Sequence, residues 1–266
     1  MGYEGMVIIL LLLIVALLAA VLRQGFQRDA AIDALGDQMQ ARFRSEANEL
    51  FARLETDRSL RDRLGLHLGL PYSHYWSAAP DFLKLIVEHA LIAKPVTIVE
   101  CSSGLTTVML ARCCEMNGQG RLFSLENGPD YAARTRSALE RYDLTARANV
   151  LDAPLVPHTL GGWAFQWYAL DDLPDLSIDM LVIDGPPGFI QRHSRYPALP
   201  LLFDKLADGC VVFMDDAARP DEQEIIGLWK DEFPGLEHEY VDTERGCAIF
   251  RLNRSQADTG HSAEAL

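Results

Sequence analysis

The sequence predicts a doubly wound α/β protein: a mostly parallel sheet covered by helices on both faces, preceded by an apolar N-terminal segment and a helical stalk. Three observations lead there. From residue 80 onward, short β-branched runs alternate with helical stretches, the pattern of βα units packed in layers. Two of the runs, Ile178–Asp184 and Cys210–Asp215, are nearly continuous in apolar residues, as strands buried on both faces are. The last two runs, Glu237–Asp242 and Cys247–Leu252, are joined through the short turn Thr243–Gly246, which makes an antiparallel end.

The chain opens with an unbroken apolar run, Met6–Leu22. At about 1.5 Å per residue its 17 residues span roughly 25 Å, slightly short of a ~30 Å hydrocarbon core. A cleaved signal peptide is the rival reading, but it expects a basic leader, and Glu4 is the only charged side chain before the run. Arg23 and Arg28 follow directly, so the positive-inside rule places the rest of the chain in the cytoplasm. Residues 1–22 are therefore expected to be a transmembrane anchor. Residues 23–70 carry eight Arg and eight Asp/Glu, with Ile32, Leu35, Met39, Phe43, Leu50 and Leu54 at helical spacing between them. That pattern predicts a juxtamembrane stalk helix able to self-associate into a homodimer, although the stripe is interrupted around Ser45–Asn48. Gly65, Gly69 and Pro71 mark the boundary to a domain over 71–252, and the polar residues 253–266 read as a frayed tail.

Within that domain the expected order is a helix over Pro80–Ala93, with proline at its first position, then a strand over Val96–Glu100. A Ser/Gly turn leads to a helix over Leu105–Met116. A strand over Arg121–Glu126, a helix over Pro129–Tyr142 and a strand over Ala148–Asp152 follow. Helices are expected over Leu199–Leu206 and Glu222–Phe233, beside the last parallel strands. Residues 154–177 break the pattern: Trp163, Phe165 and Trp167 alternate with Ala164, Gln166 and Tyr168 after Gly161–Gly162, which is strand periodicity where a crossover helix should stand. Such a hairpin either covers a substrate or packs its aromatic stripe on the core.

Composition narrows the function. With 24 Lys+Arg against 38 Asp+Glu the formal net charge is −14, and residues 71–266 alone carry −13 (16 against 29), which excludes the basic footprint that nucleic acid requires. Five cysteines show neither C-x-x-C nor metal-ligand spacing and read as reduced thiols.

The chemistry is expected at the carboxyl ends of the parallel strands, where open α/β sheets bind ligands. Five strands end in an acid: Glu100, Glu126, Asp152, Asp184 and Asp215. One terminal acid says little, because Asp and Glu also cap helices, but five on one edge exceed what stability requires. The first turn, Glu100-Cys101-Ser102-Ser103-Gly104-Leu105-Thr106-Thr107, uses small residues that let a ligand approach the backbone beside a helix N-terminus. It lacks both the G-x-G-x-x-G spacing and a P-loop lysine, which disfavours a nicotinamide oxidoreductase. Glu126 stands 22 residues after Gly104, where an acid can accept hydrogen bonds from both hydroxyls of a ribose.

The segments IVECSSGLTT, RLFSLEN, VLDAP, MLVIDGPPG and VVFMDD, in this order, resemble the class I S-adenosylmethionine-dependent methyltransferases, specifically the small-molecule O-methyltransferase branch, over Ser77 to Leu252. The resemblance implies a seven-stranded Rossmann-like sheet and S-adenosylmethionine as cofactor. It implies that Glu100, Ser103 and Gly104 hold the methionine end, Glu126 the ribose, and that Asp152 lies near the adenine. The family usually has glycine where this chain has Ser102.

In that branch a metal is held by an acid after the fourth strand and an Asp-Asn pair after the fifth. Here Asp184 with Asp215-Asp216 would hold Mg²⁺, a hard cation that suits oxygen ligands, while Pro187 replaces the lysine expected three residues after Asp184. The alternative is that Asp215 and Asp216 cap the following helix and loop. DGPPG differs from the [DN]-P-P-[YFW] signature of amino-group methylation through Gly185 and Gly188, and its prolines read as stiffening a pocket wall. Arg192, His193 and Arg195 form a small basic cluster, either solvated or orienting an anionic substrate with His193 as general base. His74 and Tyr75 are weaker site candidates. The expected function is methyl transfer to a hydroxyl of a small or membrane-associated metabolite, with Asp184 and His193 as catalytic residues; the competing expectation is a membrane-tethered scaffold with an inactive methyltransferase-like domain.

Overall fold

The structure is a computed structural model that describes residues 2–71 and 77–253. His74, Tyr75 and the expected tail beyond Asn253 lie outside the described residues. The chain divides into two compact units, one ending at Leu54 and one beginning at Glu55.

The first unit is helical, part of α1 (Tyr3–Leu64). Its apolar run is exposed along its length, and α1 is the one described helix long and apolar enough to cross a membrane. The stripe residues Ile32, Leu35, Met39, Phe43, Leu50 and Leu54 are exposed as well. Ion pairs such as Arg42–Glu46, one turn apart, lie on the same helix.

The second unit holds the sheet, and it starts earlier than the sequence suggests. Leu60 and Leu64 at the end of α1, and Leu66 just after it, are buried in the same core cluster as Phe82, Ile86 and Leu110. The boundary expected at Gly65–Pro71 therefore falls inside the domain. Gly and Pro mark where a helix stops, while these leucines decide where the core begins.

The elements follow the expected order: α2 (Pro80–Ala93), β1 (Thr97–Cys101), α3 (Leu105–Met116), β2 (Arg121–Glu126), α4 (Pro129–Arg141), β3 (Ala148–Asp152), β4 (Leu155–Leu160), β5 (Trp163–Tyr168), β6 (Ile178–Ile183), α5 (Ala198–Leu202), β7 (Leu206–Met214), α6 (Pro220–Glu232), β8 (Leu236–Val241) and β9 (Cys247–Leu252). Seven strands form one sheet in the order β3-β2-β1-β6-β7-β9-β8. The first five positions are parallel neighbours; β9 runs antiparallel between β7 and β8. The chain leaves β1 toward β2 on one side and returns through β6 on the other, so the strand order reverses between β1 and β6.

Helices α2, α3 and α4 bury one face of the sheet through Ile98, Leu122, Met180 and Val182; the other face, through Val99, Leu125, Leu181 and Val212, packs on α5, α6 and the hairpin. Such two-sided cover explains why β6 and β7 read as continuous apolar runs. The hairpin β4–β5 stands where the alternating pattern predicts it, in place of a crossover helix. Its aromatic stripe divides its labour: Trp167 and Tyr168 are buried in the core, Phe165 meets the Tyr196 ring, and Trp163 at the turn is exposed.

Candidate active site

Strand register carries the terminal acids to one edge, and backbone hydrogen bonds stitch that edge together. The N–H of Ala153 donates to the carbonyl of Glu126 at 2.8 Å, Ser102 to Leu125 at 2.9 Å, Asp184 to Cys101 at 3.1 Å and Asp215 to Ile183 at 3.0 Å. Glu126 pairs in register with Asp152, and Ile183 with Met214, so the loops leaving β1, β2, β3, β6 and β7 share one rim.

The first turn is built around Glu126. One carboxylate oxygen accepts the Ser103 N–H at 2.9 Å and the Ser103 hydroxyl at 2.7 Å; the other accepts the Gly128 N–H at 2.7 Å. Of the roughly four lone-pair directions of a carboxylate, three are taken by the chain itself, which leaves one on Oε1 for a ribose hydroxyl rather than two. Gly104, the N-cap of α3, has φ 149° and ψ −128°, a conformation open to glycine alone, and a side chain added there would meet nothing within 4 Å. The space before the helix N-terminus is thus clear for a ligand.

Glu100 is fully buried. Its Oε2 accepts the Thr107 hydroxyl at 2.6 Å, while Thr107 Oγ1 accepts the Gly104 N–H at 2.9 Å; its Oε1 has no hydrogen-bond partner. Burial pushes this carboxyl up to about 7, opposed by the hydroxyls of Thr106, Thr107 and Ser124 and assisted by the nearby Glu126. Asp152 is the exposed member of the group, its side chain 68% accessible and paired with Arg136 at 2.8 Å. An unpartnered buried carboxylate oxygen, a clear helix N-terminus and a strand-end acid fixed by the turn it faces fit S-adenosylmethionine.

On the far side of β1 the DGPPG loop closes on the same turn. A side chain at Gly185 would lie 2.5 Å from the Tyr168 hydroxyl and 3.0 Å from Ser102 Cβ, so glycine is needed there for the close approach. The carboxylates of Asp184, Asp215 and Asp216 come together as expected, with oxygens within 4.8 Å of one another. Neither aspartate after β7 caps α6, whose N-cap is Arg219 without a side-chain cap bond.

A buried guanidinium stands among these acids. Arg195 Nη1 donates to the Asp215 carbonyl at 2.6 Å; Nη2 donates to the Asp184 carbonyl at 2.9 Å and to Asp216 Oδ2 at 2.7 Å, and lies 3.5 Å from Asp184 Oδ1. Nη2 thus lies between the Asp184 and Asp216 carboxylates, within ion-pair distance of both. Two of the carboxylates expected to hold Mg²⁺ are already paired with a buried cationic side chain. Burial raises the Asp184 carboxyl well above its ordinary range, reinforced by Asp215 and opposed by Arg195. Asp215, neither of whose carboxylate oxygens is hydrogen-bonded, is pushed up to about 6 by burial and by Asp216.

The basic cluster expected after the loop does not act as one. Arg195 turns inward, whereas Arg192 pairs with Glu224. The backbone N–H of His193 donates to Asp221 at 2.7 Å and its ring Nε2 lies 2.7 Å from Glu224, so main chain and ring are both held by the first turns of α6. Sequence reading missed the inward role of Arg195, and also Thr107 and Ser124. The available signal for Arg195 was the charge itself: three acids ending buried strands need a nearby cation.

Residues 99–217 match the family model described as a methyltransferase domain. Over that stretch, from β1 to just past β7, the chain is similar to methyltransferase domains. Similar solved structures include the O-methyltransferase of Bacillus cereus in complex with SAH, 19% identical with a TM-score of 0.53, covering 75% of this chain and 91% of that one. The SAH-bound methyltransferase of Podospora anserina is 16% identical with a TM-score of 0.54, covering 76% and 88%. An O-methyltransferase of Streptomyces achromogenes involved in tomaymycin synthesis, in complex with SAM, is 13% identical with a TM-score of 0.52, covering 74% and 89%. At these identities the likeness shows the fold, the Rossmann-like sheet of the methyltransferases. No curated protein matches the chain. The methyltransferase model begins at Val99 in β1 and ends at Ala217 after β7, so it contains Glu100, Ser103, Gly104, Glu126, Asp152, Asp184, His193, Asp215 and Asp216.

Proposed function

We propose that the chain is a membrane-anchored methyltransferase, its domain facing the cytoplasm, that transfers a methyl group to a hydroxyl of a small or membrane-associated metabolite. The observation that carries this reading is the shared rim: the Glu126-held turn lies on one side of Cys101 and Asp184 on the other, joined through the Asp184 N–H to Cys101 carbonyl bond. A donor bound at the turn and an acceptor beside Asp184 would meet over β1. When bound, S-adenosylmethionine supplies an electrophilic methyl group and a neutral thioether leaving group. Glu126 would hold the ribose through Oε1, Gly104 would give the backbone access, and Asp152, exposed at the end of β3, would reach the adenine side.

Asp184 would take the proton from the acceptor hydroxyl as its oxygen attacks. Its side chain is 14% accessible, enough for contact at the rim, and Arg195 fixes its backbone carbonyl. His193 is the alternative base, but its Nε2 is already engaged by Glu224. Positioning would supply most of the acceleration, since the methyl group arrives activated. The two solved O-methyltransferases named above support hydroxyl as the acceptor class. The exposed 17-residue run followed by Arg23 and Arg28 supports the anchor and its orientation, and the exposed stripe from Ile32 to Leu54 supports a homodimer through the stalk.

A second reading has one observation in its favour. Ser102, at φ 101°, occupies a backbone conformation that favours glycine, which suits a tethered scaffold that no longer turns over. The deciding experiment incubates the full chain in membranes with methyl-labelled S-adenosylmethionine and phenolic, alcoholic and lipid-soluble hydroxyl acceptors. Labelled product that disappears in Asp184→Asn supports the enzyme; cofactor binding without any label transfer supports the scaffold.

A further inference from the structure

We infer that Arg195 is the resident cation of the strand-edge carboxylates, and that a divalent ion binds there only once its guanidinium is removed. The inference goes beyond methyl transfer and does not depend on which acceptor is used. Arg195 is nearly excluded from solvent, and so are Asp215, Asp216 and Glu222. A charge buried to this degree persists only with partners, and breaking such a set by removing one member leaves the others uncompensated.

The guanidinium is matched to this place by shape as well as charge. Its two terminal nitrogens bond three oxygens from the ends of two adjacent strands, the carbonyls of Asp184 and Asp215 and the carboxylate of Asp216. Its Nε faces Glu222 at 3.9 Å. A planar fork with fixed donors can tie two strand ends together in this way while its charge faces a helix carboxylate; an ammonium or a spherical ion cannot reproduce it. Arg219 and Arg245 complete the set from the rim, 2.9 Å and 3.9 Å from Asp216 Oδ1. Four acids (Asp184, Asp215, Asp216, Glu222) then face three arginines, a formal balance of −1. Adding a divalent ion would reverse that sign and force it against a buried guanidinium.

Manganese binding by the full chain in detergent, read by electron paramagnetic resonance, and thermal unfolding with and without Mn²⁺ test this. The wild type should hold no Mn²⁺ after desalting and should unfold at the same temperature with Mn²⁺ or with chelator. Arg195→Ala should unfold at a lower temperature in chelator, bind Mn²⁺ about tenfold or more tightly than the wild type, and regain part of the loss when Mn²⁺ is added. Where Arg195→Ala does not accumulate, Arg195→Met combined with Asp184→Asn removes one acid with the cation. That double variant should accumulate better than Arg195→Met alone. The inference is overturned if the wild type binds one Mn²⁺ that is lost in Asp215→Asn. It is equally overturned if a folded Arg195→Ala neither loses stability nor gains Mn²⁺ affinity, or if the double variant does no better than Arg195→Met.

Discussion

The hydroxyl of Ser124 donates to the carbonyl of Ser102 at 2.6 Å, pinning a serine whose φ of 101° would ordinarily be left to glycine. The Ser102 N–H is held as well, by the Leu125 carbonyl at 2.9 Å. Both bonds come from β2, so the neighbouring strand holds the first turn in a conformation that serine alone would avoid. A side chain in such a region costs on the order of 1–3 kcal/mol, and glycine there gives part of that back through its larger freedom when unfolded. Ser102→Gly should therefore stabilise the domain by about 0.5–1 kcal/mol. Ser124→Ala should destabilise it by about 1 kcal/mol. Calorimetric unfolding of the two variants checks the pair; a destabilised Ser102→Gly would mean that the serine side chain does more than strain the turn.

Glu126 is expected to dominate cofactor binding. Removing its carboxylate takes away a charged acceptor and also frees Ser103 and Gly128 from the bonds that shape the turn. Glu126→Ala should weaken S-adenosylmethionine binding by roughly 1.5–3 kcal/mol. Asp152→Ala should cost less, since that side chain is largely solvated and shared with Arg136. Titration calorimetry on both variants gives the comparison, and wild-type affinity in both would remove the cofactor from this rim.

How much of this was legible beforehand follows from what kind of signal each feature leaves. The seven strands and their acids were readable because β6 and β7 are buried on both faces and because a strand-end acid sits at a fixed place in a βα unit. The hairpin showed itself through the alternation from Trp163 to Tyr168. For Arg195 the strand-end acids signalled only that some cation is needed, and nothing in a single loop sequence tells an arginine pointing inward from its outward neighbour Arg192. Nor does a spacing rule show that Leu60, Leu64 and Leu66, in a stretch of mixed charge, belong to the core.

Those leucines decide where the chain can be cut. A protein beginning at Glu55 should be soluble and fold, because it keeps all three. One beginning at Pro71 should be soluble but markedly less stable, since a buried leucine reduced to nothing costs at least the ~2–5 kcal/mol of a Leu→Ala change. Denaturant unfolding of the two lengths measures the difference. The full chain should sediment with membranes and resist alkaline carbonate extraction, and its domain should be protected from protease added outside sealed right-side-out vesicles. Digestion from outside would overturn the orientation, and equal stability of the two shortened proteins would return the boundary to Pro71.

Glu100 gives the domain a dependence on pH whose sign can be worked out. Its carboxyl has an ordinary value of 4.5 and stands at about 7 in the fold, chiefly because burial disfavours the charged form. Between those values the folded chain holds a proton that the unfolded chain has released. The contribution of this group is therefore fully favourable below pH 4.5, declines as pH rises through the interval, and levels off above pH 7. The decline amounts to roughly 3–4 kcal/mol at most. Glu100→Gln keeps the shape without the charge, so it should match the wild type near pH 5 and exceed it near pH 8. Asp184 and Asp215 shift in the same direction, which makes the difference between the two proteins the quantity to measure. A cationic cofactor end beside the unpartnered Oε1 of Glu100 would favour its ionised form. S-adenosylmethionine affinity should then rise with pH in the wild type and stay flat in Glu100→Gln. Urea unfolding and cofactor titration across pH 5 to 8 test both statements, and parallel stability curves for the two proteins would show that Glu100 is already ionised in the fold.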